Sequence, residues 1–267
     1  MIACKTPAEI DKMRASAHVT ARTLHELKHA VRPGVTTGEL DARARERIRA
    51  LGGEPAFLGY QGFSGSICSS VNDEVVHGIP GDRALKDGDL LKIDIGSRVD
   101  GWYSDMACSV PVGDVSDEGL TLLRVTEAAL YEGIARVRPG AHVSDIGHAV
   151  QAHVEKHGFS VVRALVGHGI GASLHEDPPV PNFGQKGMGP VLRPGMALAI
   201  EPMVNAGTWR IETKPDQWTV VTADGRLSAH FEHTVVVTES GCEILTVTEE
   251  QRHELERANL HAARRGK

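Results

Sequence analysis

LLKIDIGSRVDGWYSDMACSV, residues 90–110, decides how this chain folds. Residues 90–95 alternate between Asp87-Gly88-Asp89 and Gly96, and residues 102–110 follow the turn-like Val99-Asp100-Gly101, so the stretch predicts a β-hairpin. Asp94 and Asp105 then lie on adjacent strands, inside apolar runs. A carboxylate buried there is costly unless hydrogen-bond donors or a cation meet it. Two readings follow: ordinary hydrogen-bonded strand carboxylates, or a pair of acids facing something positive.

Working outward, the chain repeats itself. RPGVTTGEL from Arg32 recurs as RPGAHVSDI from Arg138, each between two amphipathic helical stretches. LKDGDLLKID, ending at Asp94, matches LRPGMALAIE, ending at Glu201, and YSDMACSV around Asp105 matches HFEHTVVV around Glu232. Two halves, about 6–113 and 119–247, are expected, each a helix, an RPG turn, a helix and a hairpin, joined at 114–118 in one domain spanning 1–267. They place Asp94, Asp105, Glu201 and Glu232 as two acid pairs about an approximate twofold. The second half carries some twenty extra residues between its acids, 203–228, with Asn205, Thr208, Trp209 and Trp218, and a longer hairpin over the site is the simplest account.

The first helix is announced by Thr6-Pro7-Ala8-Glu9, a capping box with proline at the first helical position, and is stopped by Arg32-Pro33-Gly34. A second runs from near Thr37 to Gly52-Gly53, and the glycine-rich segment 54–80 reads as loop, strand and turn. Inside the first helix, His25-Glu26-Leu27-Lys28-His29 spells H-E-x-x-H, a zinc-protease pattern. No third ligand follows and a helix-ending proline stands four residues on, so a solvated helix face is the better reading, as it is for His153 and His157.

Composition narrows the classes. A formal charge of −6 over 267 residues offers no basic field for nucleic acid, and no stretch approaches the roughly 18 apolar residues of a membrane span. No secretory signal opens the chain, so a soluble, cytoplasmic protein is expected, its four cysteines (none in a C-x-x-C pair) reduced thiols. The ending ERANLHAARRGK predicts a flexible basic tail at 257–267.

His168, between glycines in GHGIG, adds one imidazole to the four acids. That oxygen-rich set suffices for two divalent ions if some carboxylates bridge, and two such ions hold a hydroxide nucleophile and polarise a carbonyl, as amide hydrolysis requires. Cobalt, manganese, iron(II) and zinc all suit it.

The ordered set VHGIP at His77, KIDIG at Asp94, YSDMA at Asp105, GHGIG at His168, LHEDP at His175, AIEPM at Glu201 and HFEHT at Glu232 resembles the type I methionine aminopeptidases over nearly the whole chain. The resemblance implies an α+β pita-bread fold, an antiparallel sheet flanked by helices in two pseudo-twofold halves. It implies removal of the initiator methionine from nascent polypeptides with a small second residue. On that likeness Asp94 binds one metal, Asp105 and Glu232 bridge both, and His168 and Glu201 complete the other, with Glu201 also taking a proton from the attacking water. His77 contacts substrate beside the scissile amide, His175 donates to its carbonyl oxygen, and Tyr60, Phe63, Cys68, Leu174 and Trp218 line the methionine pocket. Phe63 and Leu174 depart from the family's frequent tyrosine and aromatic residue, which softens that wall. Nascent-chain N-termini, a transient ribosome contact and a monomeric state are implied, without DNA or membrane, and retention of the chain's own Met1 before bulky Ile2. Competing readings are an X-Pro aminopeptidase or prolidase, which usually carries an N-terminal domain for which the thirty-odd residues before the first RPG leave no room, and a non-catalytic binding protein on the same fold.

Overall fold

The computed structural model describes residues 2–248 and residue 251; the basic tail expected at 257–267 lies outside the described residues. Helix α1 (Pro7–Ala30) starts as its sequence predicts: Thr6 and Glu9 form a reciprocal capping box, and Pro7 occupies the first turn, where its missing N–H costs nothing. Helix α2 (Thr37–Ala50) repeats the device with Thr36 and Glu39. In the second half α3 (Asp117–Ile134) and α4 (Val143–Lys156) take the same places, and Asp145 accepts from the His142 N–H at the start of α4.

Fifteen strands are found among the described residues: β1 (Glu54–Pro55), β2 (Ile67–Val71), β3 (Glu74–Val76), β4 (Leu90–Val99), β5 (Trp102–Pro111), β6 (Ser160–Val161), β7 (Gly167–Gly169), β8 (Glu176–Val180), β9 (Ala197–Ile200), β10 (Met203–Asn205), β11 (Ile211–Thr213), β12 (Val220–Thr222), β13 (Ser228–His230), β14 (Glu232–Val237) and β15 (Cys242–Ile244). The expected hairpin is β4–β5, turning at Asp100-Gly101, both in the left-handed region. The main sheet runs β1-β4-β5-β14-β9-β7-β8, with β2 also on β4 and β15 on β14, and every pairing is antiparallel. The halves meet at β5 and β14, so they share one sheet.

Alternation along these strands separates two environments. Ile93, Ile95, Met106, Cys108, Leu198, Ile200, Val235 and Val237 point to one face and pack with Leu24, Ile48, Leu122, Ile146 and Val150 of the helices in the principal core. α1 lies on β4 and β5 across a buried hydroxyl network: Ser97 and Ser104, opposite each other, bond the side chains of Ser16 and Thr20 at 2.7–3.1 Å. The other face carries Asp94, Asp105, Glu232 and His168.

The inserted segment is more than a single hairpin. Its ends pair as β10–β13, while β11–β12 forms a second hairpin whose β12 docks on β3. Docking on β3 fixes it against the first half, which a free hairpin could not achieve.

Candidate active site

Register brings the acids together. Asp94 faces Ala107, and Ala107 faces Glu232, so the two acids flank an alanine in one row across three strands. Asp105, two residues before Ala107, points the same way and faces Gly96. In the next row His168 and Thr234 flank Ala199, two residues before Glu201. Small residues at the centre of each row leave room for the longer side chains to converge above them.

The cluster is enclosed and tightly held. Asp105 (4% exposed), Glu232 and His168 each offer an atom within 4.8 Å of the others. His168 Nε2 lies 3.7 Å from Glu201 Oε1, while its Nδ1 is 2.8 Å from the Gly169 carbonyl, so the Nδ1–H donates there and a bare Nε2 faces the acids. Gly169 permits this because a Cβ there would stand 2.1 Å from the Asp177 carbonyl of β8. Thr234 takes over where the β5–β14 ladder parts: its Oγ1 accepts the Asp105 N–H at 3.0 Å and donates to the Asp105 carbonyl at 2.8 Å.

Burial of the carboxyls, and then their mutual repulsion, raises Asp94, Glu201 and Glu232 well above the usual range, and burial lifts Asp105 to about 7. Asp94 Oδ1 and Glu232 Oε1 are buried without a hydrogen-bond partner. Unpartnered carboxylate oxygens beside a bare imidazole nitrogen form a donor set that fits divalent cations, which would relieve the repulsion and fill those valences.

Four residues near the cluster escaped the sequence reading. His230 is buried with both ring nitrogens unpartnered, Nε2 lying 3.8 Å from Glu201 and 4.0 Å from Glu232, and burial depresses it to about 3. Both it and Thr234 stand in the quoted HFEHT, two residues either side of Glu232, and strand alternation alone would have put them on the acidic face. Lys92, two residues before Asp94, is fully buried, donates to the Asn72 carbonyl at 2.7 Å and is depressed by burial to about 7. Asn182, which donates to the Glu201 carbonyl at 3.0 Å, left no sequence signal.

A cavity of about 180 Å³ opens over the cluster. All twelve candidate residues line it: Asp94, Asp105, His168, Glu201 and Glu232 with His77 and His175, and Tyr60, Phe63, Cys68, Leu174 and Trp218. Phe57 and Gln61 join them unforeseen, from a segment where composition offered no period. Trp218 meets Phe63 edge-on at 5.0 Å between ring centres. Trp209, from the same insertion, instead stacks with Arg163 at 5.0 Å and is not among the lining residues. Cys68 sits beside Asp94 in the register, and burial pushes its thiol up, which leaves it an inert apolar wall. His77 adopts φ 59°, and Gly78 after it lies so close to β2 that a Cβ would stand 2.3 Å from the Ser69 carbonyl, which explains a glycine in VHGIP. Burial keeps both His77 and His175 below their ordinary pKa.

The alternative metal motifs do not assemble. His29 is exposed and bonds the His25 carbonyl at 2.7 Å, and His157 does the same with His153 at 2.8 Å, so each pair caps its own helix. The four cysteines are free. No helix among the described residues is long and apolar enough to cross a membrane.

The model of metallopeptidase family M24 matches residues 11–239. Methionine aminopeptidase 1 of Bacillus subtilis is 54% identical over 92% of this chain and 99% of its own length. The crystal structure of a Thermotoga maritima methionine aminopeptidase superposes with a TM-score of 0.92 at 45% identity, covering 93% of this chain and all of that one. A prolidase from Pyrococcus furiosus shares the fold alone, with a TM-score of 0.76 at 21% identity over 66% of its length. With a pita-bread sheet, a metal-fitting acid cluster at its centre and identity at this level over nearly its whole length, the chain belongs to metallopeptidase family M24, among the type I methionine aminopeptidases.

Proposed function

We propose that the chain, acting as one catalytic domain, removes the initiator methionine from polypeptides with a small second residue, using two divalent ions held between the two acid pairs. The convergence of Asp94, Asp105, His168, Glu201 and Glu232 beneath one apolar-walled cavity carries this reading. Asp94 would hold one ion, Asp105 and Glu232 both, and His168 with Glu201 the other; manganese, iron(II), cobalt and zinc suit such donors. When bound, the ions supply an activated water and a polarised amide carbonyl.

The chain's own groups do the rest. The substrate's methionine side chain lies against Phe63, Cys68, Leu174 and Trp218, an apolar slot suited to a polarizable thioether. Leu174, more adaptable than an aromatic ring, makes this wall yielding. His77 contacts the substrate beside the scissile bond, and neutral His175 donates to the carbonyl oxygen as charge develops there. Glu201, ionised once a cation is bound, accepts a proton from the attacking water. The protein works as a monomer on N-termini as they leave the ribosome.

Methionine release from Met-Ala-Ser and Met-Leu-Ser, with Ala-Pro-Ser as control, after chelation and metal add-back, tests the reading. Metal-restored cleavage of Met-Ala-Ser alone is expected. Cleavage of Ala-Pro-Ser would move the protein to the X-Pro branch, and bound metal without turnover would leave a binding protein.

A further inference from the structure

We infer that Tyr60 is a positioning residue for the reaction: its hydroxyl donates to Nδ1 of His175 and so fixes the imidazole as the tautomer with its proton on Nε2, free for the substrate carbonyl. The inference rests on the reading of His175 as the carbonyl's donor.

Tyr60 Oη lies 2.8 Å from His175 Nδ1, with ring centres 5.3 Å apart. A phenol is a stronger acid than a neutral imidazole N–H, and an imidazole nitrogen a stronger base than a phenol oxygen, so the proton of this hydrogen bond belongs to the tyrosine. A neutral imidazole carries one proton. If Nδ1 accepts, Nε2 must bear it. The opposite tautomer would aim a lone pair at the developing oxyanion. The choice of tautomer matters for the neutral ring, because only one of its two nitrogens then carries a proton to donate.

Both partners are preset. Tyr60 sits in a turn closed by the Gly59 N–H on the Phe63 carbonyl at 2.8 Å and the Phe63 N–H on the Tyr60 carbonyl at 2.9 Å. Gly59 at φ 82° and Gln61 at φ 48° both occupy the left-handed region, unfavourable for glutamine, so the turn holds a strained conformation that aims the phenol. On the other side, Lys5 grips Glu176 at 2.6 Å, Glu176 accepts the Ser173 N–H, and the His168 ring lies 4.3 Å from that of His175. The imidazole is thus bounded on two sides, and Tyr60 decides which nitrogen is bare.

The test is Tyr60→Phe, which keeps the ring against the pocket and removes only the hydroxyl, with His175→Gln in parallel. On Met-Ala-Ser the phenylalanine variant is expected to lose about tenfold or more in kcat, as removal of a group orienting a reacting side chain typically costs, with KM within about twofold. Nitrogen-15 spectra of the zinc-loaded protein, with the His175 signals identified by their absence in His175→Gln, should show Nε2–H in the native chain and a tautomer mixture in Tyr60→Phe. A raised KM at unchanged kcat, or a native Nδ1–H, would overturn the inference while leaving the reading of His175 intact. If His175→Gln itself keeps its kcat, that reading fails and takes the inference with it.

Discussion

Asp94 and Glu201 occupy matching strands of the two halves, yet their surroundings differ. On β4, Asp94 stands between Cys68 of β2 and Ala107 of β5, and lies diagonal to Asp105. On β9 the register is slid by two residues: His233 faces Ile200, which brings Glu232 level with Glu201. Beside β9, β7 contributes His168, whereas beside β4, β2 contributes a buried thiol, Cys68, and the second half adds the β10–β13 excursion that brings Trp218 back over the first. One scaffold used twice thus divides its work. Acids come from both halves, the nitrogen donor from the second, and most of the pocket wall from the first, closed by Trp218 and Leu174 of the second.

The largest expected effect breaks the symmetric part of that division. Asp105→Asn and Glu232→Gln, at equivalent positions in the two halves, should each lower kcat/KM by about 10³-fold or more and reduce bound metal, because each removes an anion the other acids cannot replace. Methionine release and metal analysis on the same samples check this. An effect confined to one half would show that the acids do not act as two matched pairs.

Trp218→Ala sharpens the asymmetric part. It should raise KM by about tenfold, in line with the roughly 1–3 kcal/mol that apolar pocket contacts are worth, and leave metal content unchanged. Initial rates across Met-Ala-Ser concentrations separate the two. On the helix-facing side, Ile95→Ala should cost about 2–5 kcal/mol in denaturant unfolding while leaving the metal content of the folded protein intact, since Ile95 is fully buried in the principal core on the opposite face of the strand from Asp94.

Metal binding should depend on pH with a definite sign. Asp105 at about 7, and Asp94, Glu201 and Glu232 raised further, retain protons near neutrality in the metal-free protein. A cation must displace them, so affinity should rise with pH and binding at pH 7 should release protons. Calorimetry in two buffers of different ionisation enthalpy reads that release directly, and proton uptake would contradict it. At the bottom of the scale, His25→Ala should change neither bound metal nor kcat, because the His25 and His29 side chains sit exposed on α1, and metal analysis with the Met-Ala-Ser assay reads both.

The sequence carried the scaffold because its signals are local or repeated. Capping boxes at Thr6 and Thr36, the Asp100-Gly101 turn and the alternation through Asp94 each rest on neighbouring residues. Repetition supplied the pairing of the halves, which no local signal could. What stayed hidden depends on long-range approach. Asn182 reaches the Glu201 backbone from a loop, Tyr60 meets His175 across 115 positions, and β12 docks on β3 from an insertion that reads as one long hairpin. His230, Thr234 and Lys92 were within reach, since the strand period that placed the acids places them too, but a buried histidine, threonine or lysine gives no chemical signal until its neighbours are known.

The central claim is that the acid pairs of both halves together hold two ions on which catalysis depends. Equilibrium dialysis of the chelated protein against manganese, with Met-Ala-Ser turnover followed on the same samples, tests it most directly. The account predicts no turnover without metal, two equivalents bound at saturation, and loss of both binding and turnover in Asp105→Asn; turnover by the fully chelated protein, or saturation at one equivalent unaffected by Asp105→Asn, would contradict it.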